Sequence, residues 1–109
     1  MKIKPWLLAL GLGAGLGLSS AGTFAQLPDR PVKVGVLTDM SGTYSAMGGA
    51  GSVVAAQMAI DDCLAAECKG MKVELVSADN QNKADVTANK AREWFDRDNV
   101  DAIADLTNS

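Results

Sequence analysis

Histidine is absent from this chain of 109 residues, so neither a Ser-His nor a Cys-His nucleophile pair can be assembled within it. Cysteine is scarce. Cys63 and Cys68 are the only two, and the four residues between them match neither a Cys-x-x-Cys redox motif nor a zinc-binding cluster. No Gly-Lys-Ser or Gly-Lys-Thr completes a P-loop, and neither Gly-x-Gly-x-x-Gly nor Gly-x-Ser-x-Gly occurs. Phosphate-bearing cofactors and hydrolase chemistry are disfavoured, and no cofactor is expected. There is no run of basic residues either, which removes the electrostatic footprint for nucleic acid or an anionic membrane.

What is present begins with an export segment. Lys2 and Lys4 form a short positive start, and Trp6 to Leu18 is an uncharged stretch of Leu, Ala and Gly. That stretch has signal-peptide length and falls short of the roughly 20 apolar residues a bilayer span needs. Thr23-Phe24-Ala25 places small residues at the two positions a signal peptidase reads. Residues 1–25 are therefore expected to be cleaved after Ala25, with Ala21 as the second choice, leaving a soluble periplasmic protein that starts at Gln26. No cysteine near this region offers a lipid anchor. All thirteen Asp and Glu lie beyond Ala25 and two of the ten Lys and Arg before it, so thirteen acids face eight bases and the mature net charge is −5.

Pro28 and Pro31 keep the lead-in out of a helix. Val32 to Leu37 is a predicted strand, apolar except at Lys33, as in a strand buried on both faces. Thr38 to Gly51 is a loop with four glycines. A helix is predicted from about Ala50 or Ser52 to Ala65, with Val53, Ala56, Ile60, Cys63 and Leu64 on one face. After Gly70, Lys72 to Ala78 is a second strand. Lys83 to Arg97 is a second helix, with Asn82 as N-cap, Asp85 in the first turn, and Ala84, Ala88, Ala91 and Phe95 forming a stripe flanked by Trp94. Val100 to Leu106 is a third strand. The fold class is α/β: strand-helix-strand-helix-strand with right-handed crossovers makes a small parallel sheet. Ligands bind such sheets beyond the carboxyl ends of the strands, which here are Thr38 to Gly42, Asp79 to Gln81 and Thr107 to Ser109.

Several features at that edge have two readings. Gly48-Gly49-Ala50-Gly51-Ser52 opens a helix, so its free N–H groups suit an anion, or its glycines ease the helix close to the sheet. Asp39 has the place of an acidic residue in a receiver domain, but it suits a turn former in Thr-Asp-Met-Ser-Gly better. Asp79 is either a turn carboxylate or a ligand-edge group. In an oxidising periplasm Cys63 and Cys68 form a disulfide or remain two buried thiols. In an unbroken helix their Cα atoms stand about 8 Å apart, beyond the usual limit of about 7 Å, so the bridge requires the helix to end near Leu64.

Three pieces carry a resemblance. They are Val32-Lys-Val-Gly-Val-Leu-Thr-Asp-Met-Ser-Gly-Thr-Tyr-Ser with Gly48 and the Ala-rich helix ending Ala59-Ile60-Asp61-Asp62; Val73 to Val76 with Ser77-Ala78-Asp79-Asn80-Gln81-Asn82-Lys83-Ala84-Asp85; and the strand ending Thr107-Asn108-Ser109. Together they resemble the branched-chain amino-acid type of ABC-transporter substrate-binding proteins, the type I periplasmic binding proteins. The resemblance implies the start of lobe 1 of a two-lobe fold that closes on a small solute and delivers it to an inner-membrane ABC permease, without catalysis and as a monomer when full length. It places Ser41, Gly42 and Tyr44 in a cleft loop and directs Met47 toward the ligand. Thr107, Asn108 and Ser109 would meet a ligand carboxylate. The Ser-Gly-Thr-Tyr-Ser form hints at an aromatic or other organic acid in place of leucine.

Members of that family are several times longer. Residues 26–109 are therefore expected to be the incomplete N-terminal part of the first lobe, a fragment or truncated product. The competing readings are a small secreted hydrolase or reductase, which the missing motifs oppose, and a stand-alone interaction module whose sheet edges pair with a partner.

Overall fold

The structure is a computed structural model and describes residues 29–106. The expected leader and cleavage site, and Thr107, Asn108 and Ser109, lie outside the described residues. Strand β1 (Val32–Thr38) leads to helix α1 (Gly49–Ala65), strand β2 (Val73–Asp79), helix α2 (Ala84–Asp96) and strand β3 (Ala102–Ala104). The sheet order is β2-β1-β3, with both pairings parallel. The first strand is thus the central one, which is why it is apolar on both sides.

Alternation along β1 divides the core. Val32 and Val34 face α1 across the sheet and pair with Val73, Leu75 and Ala102. On the other face Gly35 and Leu37 meet α2. There Leu37, Trp94 and Val100 are buried together, with Val76, Ala78, Ala91 and Ile103 packed against them. In α1, Val53, Ala56, Ile60, Cys63 and Leu64 are the half-buried apolar residues, the face the sequence predicts.

Helix α2 departs from its predicted stripe. Phe95 is 50% exposed and Ala84 is exposed, whereas Trp94 is buried. The helix is turned by about one residue because the indole lies over Gly35: a Cβ added to Gly35 would stand 2.7 Å from Trp94 Cε3. Asn82 is not the N-cap. It adopts φ 55°, its N–H donates to Asn80 Oδ1 at 2.9 Å, and Lys83 caps the helix without a side-chain bond. Strand β3 is shorter than expected, because it pairs with β1 only opposite Val34, Gly35 and Val36. Val100 fills the core ahead of it.

At the amino ends of the strands, the Arg30 guanidinium grips the Asp101 carboxylate with bonds of 2.6 and 2.9 Å, and the Lys33 N–H donates to the same carboxylate at 2.9 Å. These bonds, Arg30 first, pull the Asp101 carboxyl down to about 2. Helix α1 ends at Ala65, and the Ala66 and Cys68 N–H groups both donate to the Cys63 carbonyl. The chain folds back there, and Cys63 and Cys68 are joined with their Cα atoms 4.9 Å apart.

Candidate functional site

The carboxyl edge of the sheet is built around two carboxylates. Asp39 is fully buried where β1 ends. It accepts the N–H groups of Gly42 at 2.6 Å, Tyr44 at 2.9 Å and Ser41 at 3.3 Å. It is the turn former of the loop, wrapping residues 41–44 around its own side chain. Gly42 is needed for that approach, since a Cβ there would stand 2.6 Å from an Asp39 carboxylate oxygen. The loop then winds through turns in which the Ser45 N–H and hydroxyl donate to the Gly42 carbonyl and the Met47 and Gly48 N–H groups to the Tyr44 carbonyl.

Asp79, at the end of β2, ties this loop to its neighbour. It accepts the Met40 N–H at 2.9 Å and the Gln81 N–H at 2.8 Å. The Ser41 hydroxyl donates to it as well, and that bond, followed by the two backbone N–H groups, holds the Asp79 carboxyl below its ordinary value. Beside it Asn80 is fully buried, with its N–H donating to the Thr38 carbonyl at 2.8 Å and its side-chain amide to the Leu37 carbonyl at 3.4 Å. Asp79 thus braces the loop, and Asn80 locks the two strand ends in register.

The start of α1 decides between the readings of the glycine cluster. Gly48 and Gly49 are buried, Gly49 has φ +53°, and its N–H donates to the Thr38 hydroxyl at 3.3 Å. A Cβ on Gly48 would stand 2.8 Å from Thr38 Oγ1 and 3.2 Å from Asp105 Oδ2. Gly48 and Gly49 therefore serve close packing, while Gly51 faces open space, and a carboxylate already stands at the helix's positive end, where an incoming anion would be repelled. No pattern in the sequence marks Asp105. It follows β3 with φ 56°, and its Oδ2 is buried without a hydrogen-bond partner.

Of the residues singled out for ligand contact, Ser41, Gly42, Tyr44 and Met47 lie in one loop at this edge. Tyr44 is 40% and Met47 84% exposed, so the loop presents an aromatic ring and a thioether outward from a rigid base. Among the described residues no group of three or more His, Cys, Asp and Glu side chains is placed to hold a metal ion.

Comparison with known proteins agrees with this geometry. The profile of a family described as periplasmic binding protein matches residues 31–109. A crystal structure of a periplasmic binding protein from Burkholderia mallei is 46% identical, with a TM-score of 0.61, over 67% of this chain and 19% of that one. A branched chain amino acid ABC transporter periplasmic ligand-binding protein from Burkholderia xenovorans LB400 is 57% identical, with a TM-score of 0.60, over 66% of this chain and 19% of that one. A search of curated proteins finds no match. The chain spans about a fifth of the length of the solved structures it matches. With its β2-β1-β3 parallel sheet, braced carboxyl-edge loop and this match over nearly all the described residues, the chain belongs to the periplasmic binding protein family.

Proposed function

We propose that this chain supplies part of the first lobe of a periplasmic solute receptor serving an ABC importer, and that its carboxyl edge forms one wall of the solute cleft. The observation that carries this reading is the loop of residues 40–48. Two carboxylates, Asp39 and Asp79, are used up in fixing its backbone, while Tyr44 and Met47 remain free to meet a ligand. A binding wall needs such rigidity, because a side chain held in place loses less freedom on contact. The chain is exported, cleaved after Ala25 and non-catalytic, and it hands its solute to an inner-membrane permease.

The solute is an amino acid or a small organic or aromatic acid. The relative from Burkholderia xenovorans is named for branched chain amino acids, which supports a ligand carrying a carboxylate. Ser41, Gly42 and Tyr44 line the cleft, with Met47 reaching in, and Thr107, Asn108 and Ser109 hold the carboxylate. The test is a joined chain in which residues 26–109 precede the remaining portion of the Burkholderia xenovorans protein. It should bind leucine or a simple aromatic acid such as benzoate at micromolar concentration. Asn108→Ala should weaken that binding about tenfold or more, as expected when a hydrogen bond to a charged group is lost. Binding of neither ligand, or an Asn108→Ala protein that binds as before, would refute the assignment.

A further inference from the structure

The sulfur atoms of this chain are divided between a closed bridge and open thioethers. Cys63 and Cys68 are joined, so among the described residues no free thiol competes for an oxidant. Met40 and Met71 are half-buried, whereas Met58 is 61% and Met47 84% exposed. We propose that Met47 is an oxidation site at which a hydroperoxide lowers the affinity for solute, an inference that rests on the loop of residues 40–48 being a wall of the solute cleft.

The loop holds the Met47 thioether outward. The Met47 and Gly48 N–H groups donate to the Tyr44 carbonyl at 2.9 and 3.0 Å. Gly48 and Gly49, which follow, are buried, and the Gly49 N–H is tied to the Thr38 hydroxyl. Turning the side chain inward would break these contacts, so the sulfur stays open to solvent while the cleft is empty. Met58 lies on α1, outside the loop, where a change in its side chain meets no solute.

The step is a two-electron oxidation. The Met47 sulfur attacks one oxygen of hydrogen peroxide, and an S–O bond forms as the O–O bond breaks. The departing hydroxide takes the proton of the transferred oxygen and leaves as water. Sulfur is oxidised to the sulfoxide, peroxide is reduced, and a flexible apolar arm becomes polar. The new oxygen is a hydrogen-bond acceptor that a closing cleft would take out of water against the solute, which is unfavourable without a donor. The N–H groups of Ser41, Gly42, Tyr44, Ser45 and Gly48 are already spent within the loop, so none of these is free to meet it.

Peptide mass mapping of the joined chain under hydrogen peroxide tests this. With no solute, Met47 should oxidise about tenfold faster than Met40 and Met71, because reaction follows exposure. Saturating leucine or benzoate should slow Met47 about tenfold and leave Met58, the exposed standard, unchanged. By calorimetry the oxidised protein should bind that solute about tenfold more weakly, and Met58→Leu should lose affinity on oxidation to the same extent. In Met47→Leu, whatever its starting affinity, the same treatment should change affinity by less than about twofold. Oxidation of Met47 no faster than that of Met40 would overturn the proposal. So would a Met47 that solute does not protect, or an equal loss of affinity in Met47→Leu. Because the first rates are read without solute, a joined chain that binds neither leucine nor benzoate yet oxidises first at Met47 would refute the receptor assignment and leave the oxidation site standing.

Discussion

Gly35 on the central strand and Trp94 on α2 share one space: the indole lies where a side chain on Gly35 would go, with Cε3 2.7 Å from the position of a Cβ. The contact sets the rotation of α2 and closes the core with Leu37 and Val100. Gly35→Ala should therefore cost about 1–3 kcal/mol through overpacking, and Trp94→Ala about 3–5 kcal/mol through the cavity it leaves. Within residues 26–109 Trp94 is the sole tryptophan, so its fluorescence in a urea titration of that stretch reads the first effect and circular dichroism the second. A Gly35→Ala protein as stable as the parent would remove this contact from the account.

Asp39 should matter to stability more than an ordinary loop carboxylate. Replacing it with Ala leaves the Ser41, Gly42 and Tyr44 N–H groups without their acceptor, a loss of about 1–3 kcal/mol. Limited proteolysis should then cut first within residues 40–47. Gly42→Ala should act in the same direction, since its methyl group would press on the Asp39 carboxylate.

How far the sequence discloses the structure differs from element to element. The buried face of α1 is legible because Val53, Ala56, Ile60, Cys63 and Leu64 recur at helical spacing and nothing outside the helix alters that pattern. The face of α2 is not, because Phe95 and Trp94 are both large and apolar, and only the notch at Gly35, 59 residues earlier in the chain, chooses between them. Asp39 as turn former follows from its neighbours Ser41 and Gly42. The brace from Asp79 to Met40 and the nearness of Asp105 to Gly48 do not, because each depends on strand pairing.

Acid should loosen the chain in a defined window. Asp101 is held at about 2, against an ordinary 3.8, first by Arg30 and then by the Lys33 N–H, and Asp79 is also lowered, first by Ser41. A carboxyl whose folded value is depressed adds stability that is present above its unfolded value and lost as pH falls through the folded one. Melting temperature should therefore drop between about pH 4 and 2. Asp101→Asn should flatten that drop and lower stability at neutral pH, and a slope identical to the parent's would contradict the link.

Cys63 and Cys68 should be found bridged in periplasmic extract, resisting alkylation until a reductant is added. By chain-entropy reasoning the short loop they close contributes about 2 kcal/mol. Labelling of both thiols without prior reduction would refute the bridge.

The central claim is that residues 26–109 hold one wall of a cleft whose other wall lies elsewhere. Receptors of this kind share a solute between lobes and exclude water by closing a hinge, and a small-ligand pocket buries roughly 70–90% of its occupant. Calorimetric titration of leucine and benzoate into the isolated residues 26–109 and into the joined chain decides the matter most directly. The account predicts no binding tighter than about millimolar by the isolated residues, about −4 kcal/mol, and micromolar binding by the joined chain; micromolar binding by the isolated residues would contradict it.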